Sequence, residues 1–174
     1  MTIALIDYGA GNLHSVHNAL RAAGAHGVVI TSDAEVVRRA NRVVLPGVGA
    51  FRACIEPLRA IPGMIEAMHE LVFDLGRPFL GICVGMQLLA EAGEEFGRHE
   101  GLGWIPGTVR RIERADPAIK IPHMGWNDVV LAGAHPLVAS GEAYFLPSCH
   151  FDAADPATVV ATTVHGGPLV AAVG

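Results

Sequence analysis

The chain has 174 residues, enough for one domain with a substantial core. With 51% hydrophobic residues it is not a disordered chain, and a net charge of −5 gives no electrostatic reason to expect nucleic acid or an anionic membrane as partner. It opens directly into an apolar strand with no signal-peptide pattern, has no run long enough to span a bilayer, and carries three cysteines without framework spacing, so a soluble protein of the reducing cytoplasm is expected.

Ile3–Asp7 is a short apolar run ending in Asp7-Tyr8-Gly9, a strand followed by a turn. Leu13–Ala23 places Leu13, Val16, Ala19, Leu20 and Ala23 on one helical face and stops at Gly24. Val28–Ile30 is the next strand, Ala34–Arg39 a brief helix, and Arg42–Leu45 a third strand closed by Pro46-Gly47. Phe51–Arg59 and Met64–Leu75 have helical patterns, and Phe79–Ile82 is a buried strand. Strands alternating with helices predict a parallel sheet covered on both faces, with its chemistry at the carboxyl ends of the strands. After Gly101 the pattern changes to short β-like runs at Trp104–Ile112, Val129–Leu131, Ala143–Leu146, Val159–Val164 and Leu169–Val173. These predict a more antiparallel, loop-rich half of the same domain.

The strand at 79–82 runs into Gly81-Ile82-Cys83-Val84-Gly85-Met86-Gln87, and a helical pattern through Leu88, Leu89 and Glu91 follows. A nucleophile on a tight strand-to-helix turn needs small residues two before and two after it, because larger side chains collide across the bend. A helix starting there points free N–H groups at the sulfur, which predicts a lowered thiol pKa. Cys83 is therefore the candidate nucleophile. Cys54 and Cys149 lack this context and read as structural. Pro46-Gly47-Val48-Gly49 also follows a strand, and its glycines free a backbone N–H to face a ligand. The Val48 N–H, paired with that of Val84, is the candidate oxyanion hole for acyl transfer.

Asp7–Leu13, Leu45–Phe51, Gly81–Gln87, Glu100–Gly103 and Pro122-His123-Met124-Gly125-Trp126-Asn127 occur in this order. Together they resemble the class I glutamine amidotransferases, and within them the glutaminase subunits of imidazole glycerol phosphate synthase. The resemblance covers the whole chain. It implies a flavodoxin-like α/β domain with a parallel central sheet and a more β-rich second half. The implied reaction is hydrolysis of glutamine to glutamate and ammonia, the ammonia passing to a (β/α)₈-barrel cyclase of histidine biosynthesis. By that resemblance Cys83 is the nucleophile, Val48 and Val84 supply oxyanion N–H groups, and Gly47, Gly49, Gln87 and Ser148 bind substrate. Asn12, Met124 and Trp126 face the cyclase. Neither a cofactor nor a metal is expected.

The same resemblance implies a Gln-Phe-His-Pro-Glu segment on a late strand, supplying the histidine and carboxylate that manage protons. The sequence ends at Val173-Gly174 before such a segment, so residues 1–174 read as one amidotransferase domain lacking its last strand and helix. None of the nine histidines has the matching context; His150 and His165 lie near late strand ends, without supporting spacing. Leu146-Pro147-Ser148-Cys149 also departs from the family's Val-His-Ser-Tyr, and Pro147 removes a backbone donor beside Ser148. The alternative reading is a non-catalytic module that docks on the cyclase.

Overall fold

Strand β1 (Ile3–Ile6) lies between β2 (Val28–Thr31) and β3 (Arg42–Leu45), with β4 (Phe79–Gly81) beyond β3. All three pairings are parallel. The computed structural model describes residues 1–113 and 116–174, which divide into two compact units, Met1–Leu88 and Leu89–Gly174. This sheet belongs to the first unit.

Both faces of β1 are buried, as expected for a parallel strand between helical layers. Ile3 and Leu5 share one face with Val44, and Leu13, Val16 and Leu20 of helix α1 (Leu13–Ala22) pack against them. Ala4, Ile6, Val43 and Leu45 occupy the other face and are equally buried. Three further helices contribute buried apolar positions: Val37 of α2 (Ala34–Arg39), Phe51, Ile55 and Leu58 of α3 (Phe51–Ala60), and Met64 and Met68 of α4 (Met64–His69). The helical run expected to Leu75 continues past α4 as one π-helical segment, Glu70–Asp74.

The strand order β2-β1-β3-β4 reverses direction between β1 and β3. In open α/β sheets this switch point opens a crevice at the strands' carboxyl ends, because the connections diverge there to opposite faces. Asp7–Asn12 leaves β1 at that edge, Pro46–Gly49 leaves β3, and Cys83 follows β4.

The helix expected from Met86 through Glu91 is shorter than its pattern: α5 spans Val84–Gln87. The backbone past it is taken by other partners. Leu89 O accepts from the N–H groups of Trp104 and Ile105, and Ala90 O accepts from Gly103 N–H. These bonds belong to the second unit, which is a sheet of eight strands. The strands are β5 (Ala92–Gly93), β6 (His99–Glu100), β7 (Gly107–Arg111), β8 (Gly125–Leu131), β9 (Gly141–Phe145), β10 (Cys149–Ala153), β11 (Val159–Val164) and β12 (Pro168–Val173), in the order β6-β5-β7-β10-β12-β11-β8-β9. Every pairing is antiparallel except β5 with β7. The sequence reading passed over β5, β6 and β10. In β10 only Cys149 and Phe151 are buried, and His150 between them, with Asp152 after them, masks a strand five residues long. No helix among the described residues is long and apolar enough to cross a membrane.

Candidate active site

Cys83 has φ 56° and ψ −117°, the angles of the first central residue of a type II′ turn, a place normally held by glycine. Gly85 N–H donates to Ile82 O at 2.9 Å and closes the turn. A side chain in this conformation costs on the order of 1–3 kcal/mol. The surrounding packing enforces it. A Cβ on Gly81 would lie 2.7 Å from Gly85 O and from Met86 Cα, and one on Gly47 would lie 2.5 Å from Gly85 N. A Cβ on Gly85 would overlap the carbonyl oxygen of Leu45. That same oxygen accepts from Ile82 N–H at 2.9 Å, so the ends of β3 and β4 and the first turn of α5 meet around one carbonyl.

The charge state of the sulfur differs from the sequence expectation. Cys83 keeps an exposed face, yet burial of the rest of the side chain pushes its thiol above the ordinary value. A hydrogen bond from the Val84 N–H pulls the other way without cancelling it, and Cys54 adds a small upward push. The resting side chain is a thiol.

Val48 is exposed and Gly49 adopts φ 93°, with open space where a Cβ would stand. The segment is held from the interior. Tyr8 Oη donates to Pro46 O at 2.6 Å and Cys54 Sγ donates to Val48 O at 3.3 Å. Gln87 closes α5, with its N–H donating to Cys83 O at 3.2 Å. The first unit thus brings Cys83, Val84, Gln87 and the Gly47–Gly49 turn to one sheet edge.

Asn12 lies in the same unit but caps α1, its Oδ1 accepting from Ser15 N–H at 3.1 Å. Ser148, Met124 and Trp126 belong to the second unit. Ser148 O accepts from Ile112 N–H at 3.0 Å between β9 and β10. Met124 and Trp126 are 63% and 70% exposed. Trp126 meets Tyr144 of β9 edge to face, with ring centroids 5.7 Å apart. His123 is buried and structural, stacked on Phe145 and His165. No metal-binding cluster occurs among the described residues.

A cysteine on a glycine-lined elbow, at the carboxyl edge of a parallel sheet and beside a second glycine turn, defines a site built for acyl transfer through a thioester. The sequence matches the glutamine amidotransferase class-I family over residues 4–167. The chain belongs to that family. It is 57% identical to the imidazole glycerol phosphate synthase subunit HisH of Zymomonas mobilis, over 99% of this chain and 83% of that protein. To the subunit of the same name from Rhodospirillum rubrum it is 55% identical, over 100% of this chain and 86% of the other. A solved glutamine amidotransferase superposes with a TM-score of 0.70 at 16% identity, over 95% of this chain and 86% of that one. Thermotoga maritima PurLQS does so with a TM-score of 0.63 at 15% identity, over 95% and 77%. The solved structures speak for the fold alone.

Proposed function

We propose that the protein is the glutamine-hydrolysing subunit of an imidazole glycerol phosphate synthase, acting in histidine biosynthesis in the cytoplasm. The observation that carries this reading is the Cys83 elbow, in a chain more than half identical to HisH subunits. Cys83 Sγ attacks the side-chain amide carbon of glutamine, and the carbonyl oxygen gathers charge that the N–H groups of Val48 and Val84 receive. The carbon–nitrogen bond breaks, ammonia leaves with a proton, and a glutamyl thioester remains; water then cleaves it to glutamate and restores the thiol. Gly47, Gly49, Gln87 and Ser148 hold the substrate.

The ammonia goes to a cyclase subunit with a (β/α)₈ barrel, which docks on Asn12, Met124 and Trp126. The family match across residues 4–167 supports reading residues 1–174 as one amidotransferase domain. The fold and the likenesses give no support to a module without catalysis. In the full-length protein assembled with its cyclase, glutamate release is expected to vanish in Cys83→Ala, and an alkylating glutamine analogue should label Cys83. Label on another residue, with Cys83 untouched, overturns the assignment.

A further inference from the structure

We propose that Tyr8 and Cys54 are positioning residues that clamp the Pro46–Gly49 segment from beneath and so hold the Val48 N–H for the acyl-transfer step. The inference rests on Val48 serving as an oxyanion donor, as put forward above.

The segment has little stiffness of its own. Gly47 and Gly49 flank Val48, and glycine constrains the backbone least of all residues. Its neighbours forbid a stiffer residue at 47, because a Cβ there would run into the α5 backbone. Definition must therefore come from outside the segment, and two side-chain donors supply it. Tyr8, just past the end of β1, donates to the Pro46 carbonyl at 2.6 Å; Cys54, from the first turn of α3, donates to the Val48 carbonyl at 3.3 Å. The donors are 5% and 0% exposed. Bonding the carbonyls of Pro46 and Val48 anchors the peptide planes on either side of the Gly47–Val48 peptide, and so sets the position of the peptide that carries the Val48 N–H.

Burial and the neighbouring thiols push the Tyr8 hydroxyl far above its ordinary pKa, so it remains a donor at every working pH. The arrangement is more than core filling. A cysteine chosen for packing needs no acceptor, whereas this one takes the exposed segment's carbonyl in place of water.

The test uses the full-length protein in the assembled synthase and compares Tyr8→Phe, Cys54→Ala, Cys54→Ser and Val48→Pro. Losing one buried hydrogen bond that holds the donor should lower kcat for glutamine hydrolysis about tenfold in Tyr8→Phe and in Cys54→Ala. KM for glutamine should change by a smaller factor than kcat, because Gly47 and Gly49 also hold the substrate whereas the clamp acts chiefly on the oxyanion peptide between them. Cys54→Ser keeps a donor and should recover most of the rate. Hydrogen exchange of the 47–49 amides should quicken by a similar factor in Tyr8→Phe and Cys54→Ala, while that of the 81–87 amides stays as in the parent. If Tyr8→Phe and Cys54→Ala keep the parent kcat while Val48→Pro is inactive, the clamp is wrong and the oxyanion reading survives. Unchanged turnover in Val48→Pro removes the oxyanion reading and the clamp together. A Cys54→Ser variant as slow as Cys54→Ala also overturns the clamp, since packing and not hydrogen bonding then sets the rate.

Discussion

His123 and His165 stack nearly face to face, with ring centroids 4.0 Å apart and planes 14° from parallel. Asn127 fixes the protonation of the first ring. Its amide oxygen accepts from Asp128 N–H at 2.9 Å, so its amide nitrogen is the group that meets Val164 O at 2.8 Å and His123 Nε2 at 3.1 Å. Nε2 is thereby an acceptor, an assignment made from the network, and the proton sits on Nδ1. Burial first, and the second imidazole after it, hold His123 below the ordinary histidine value.

The second unit should therefore lose stability in mild acid. A folded pKa below the unfolded one means that the unfolded chain takes up the proton first as pH falls. Stability contributed by neutral His123 is whole above the unfolded value of about 6.5 and drains away below it. His150, depressed mainly by burial, acts in the same direction. His123→Phe keeps a stacking ring and removes one proton site, so its melting temperature should fall less than the parent's between about pH 7.5 and 5.5. Equal falls in the two proteins would show that His123 does not titrate in this way.

Strain at the nucleophile should be visible in the stability of its variants. Cys83→Gly frees the positive φ and should unfold at higher urea than Cys83→Ala, by on the order of 1 kcal/mol or more, while both are inactive. Gly85→Ala should cost several times that, about 3 kcal/mol, because its Cβ meets the backbone of Leu45 and no side chain can yield. If Cys83→Gly is no more stable than Cys83→Ala, the turn does not store strain.

Labelling kinetics report the state of the sulfur. Since only the thiolate is alkylated, the rate of iodoacetamide reaction at Cys83 should climb with pH, with its midpoint above the ordinary thiol value of about 8.5. A midpoint near neutrality would mean that a thiolate-stabilising group acts on Cys83 in the resting protein.

Much of this site is legible in the sequence because its determinants are local. Ile3–Ile6 and Arg42–Leu45 read as apolar runs since a parallel strand is covered on both faces, and Gly81 and Gly85 bracket Cys83 because the bend leaves no room for a Cβ. What escaped depends on residues distant in the chain. Tyr8 meets Pro46 across 38 positions, and nothing in Asp7-Tyr8-Gly9 announces an acceptor there. Cys54 reads as core filling until the Val48 carbonyl is placed above it. The pattern Met86–Glu91 is helical, but Trp104, Ile105 and Gly103 take the carbonyls of Leu89 and Ala90. The thiol's charge follows from burial of the Cys83 side chain in the folded elbow, so a periodicity argument could not supply it.

Burial of the Cys83 side chain has a consequence for the life of the protein outside its complex. Peroxide, like an alkylating agent, reacts with the anionic form of sulfur, and a group kept neutral is spared the first rung of oxidation. A subunit waiting for its partner would thus keep the Cys83 sulfur intact.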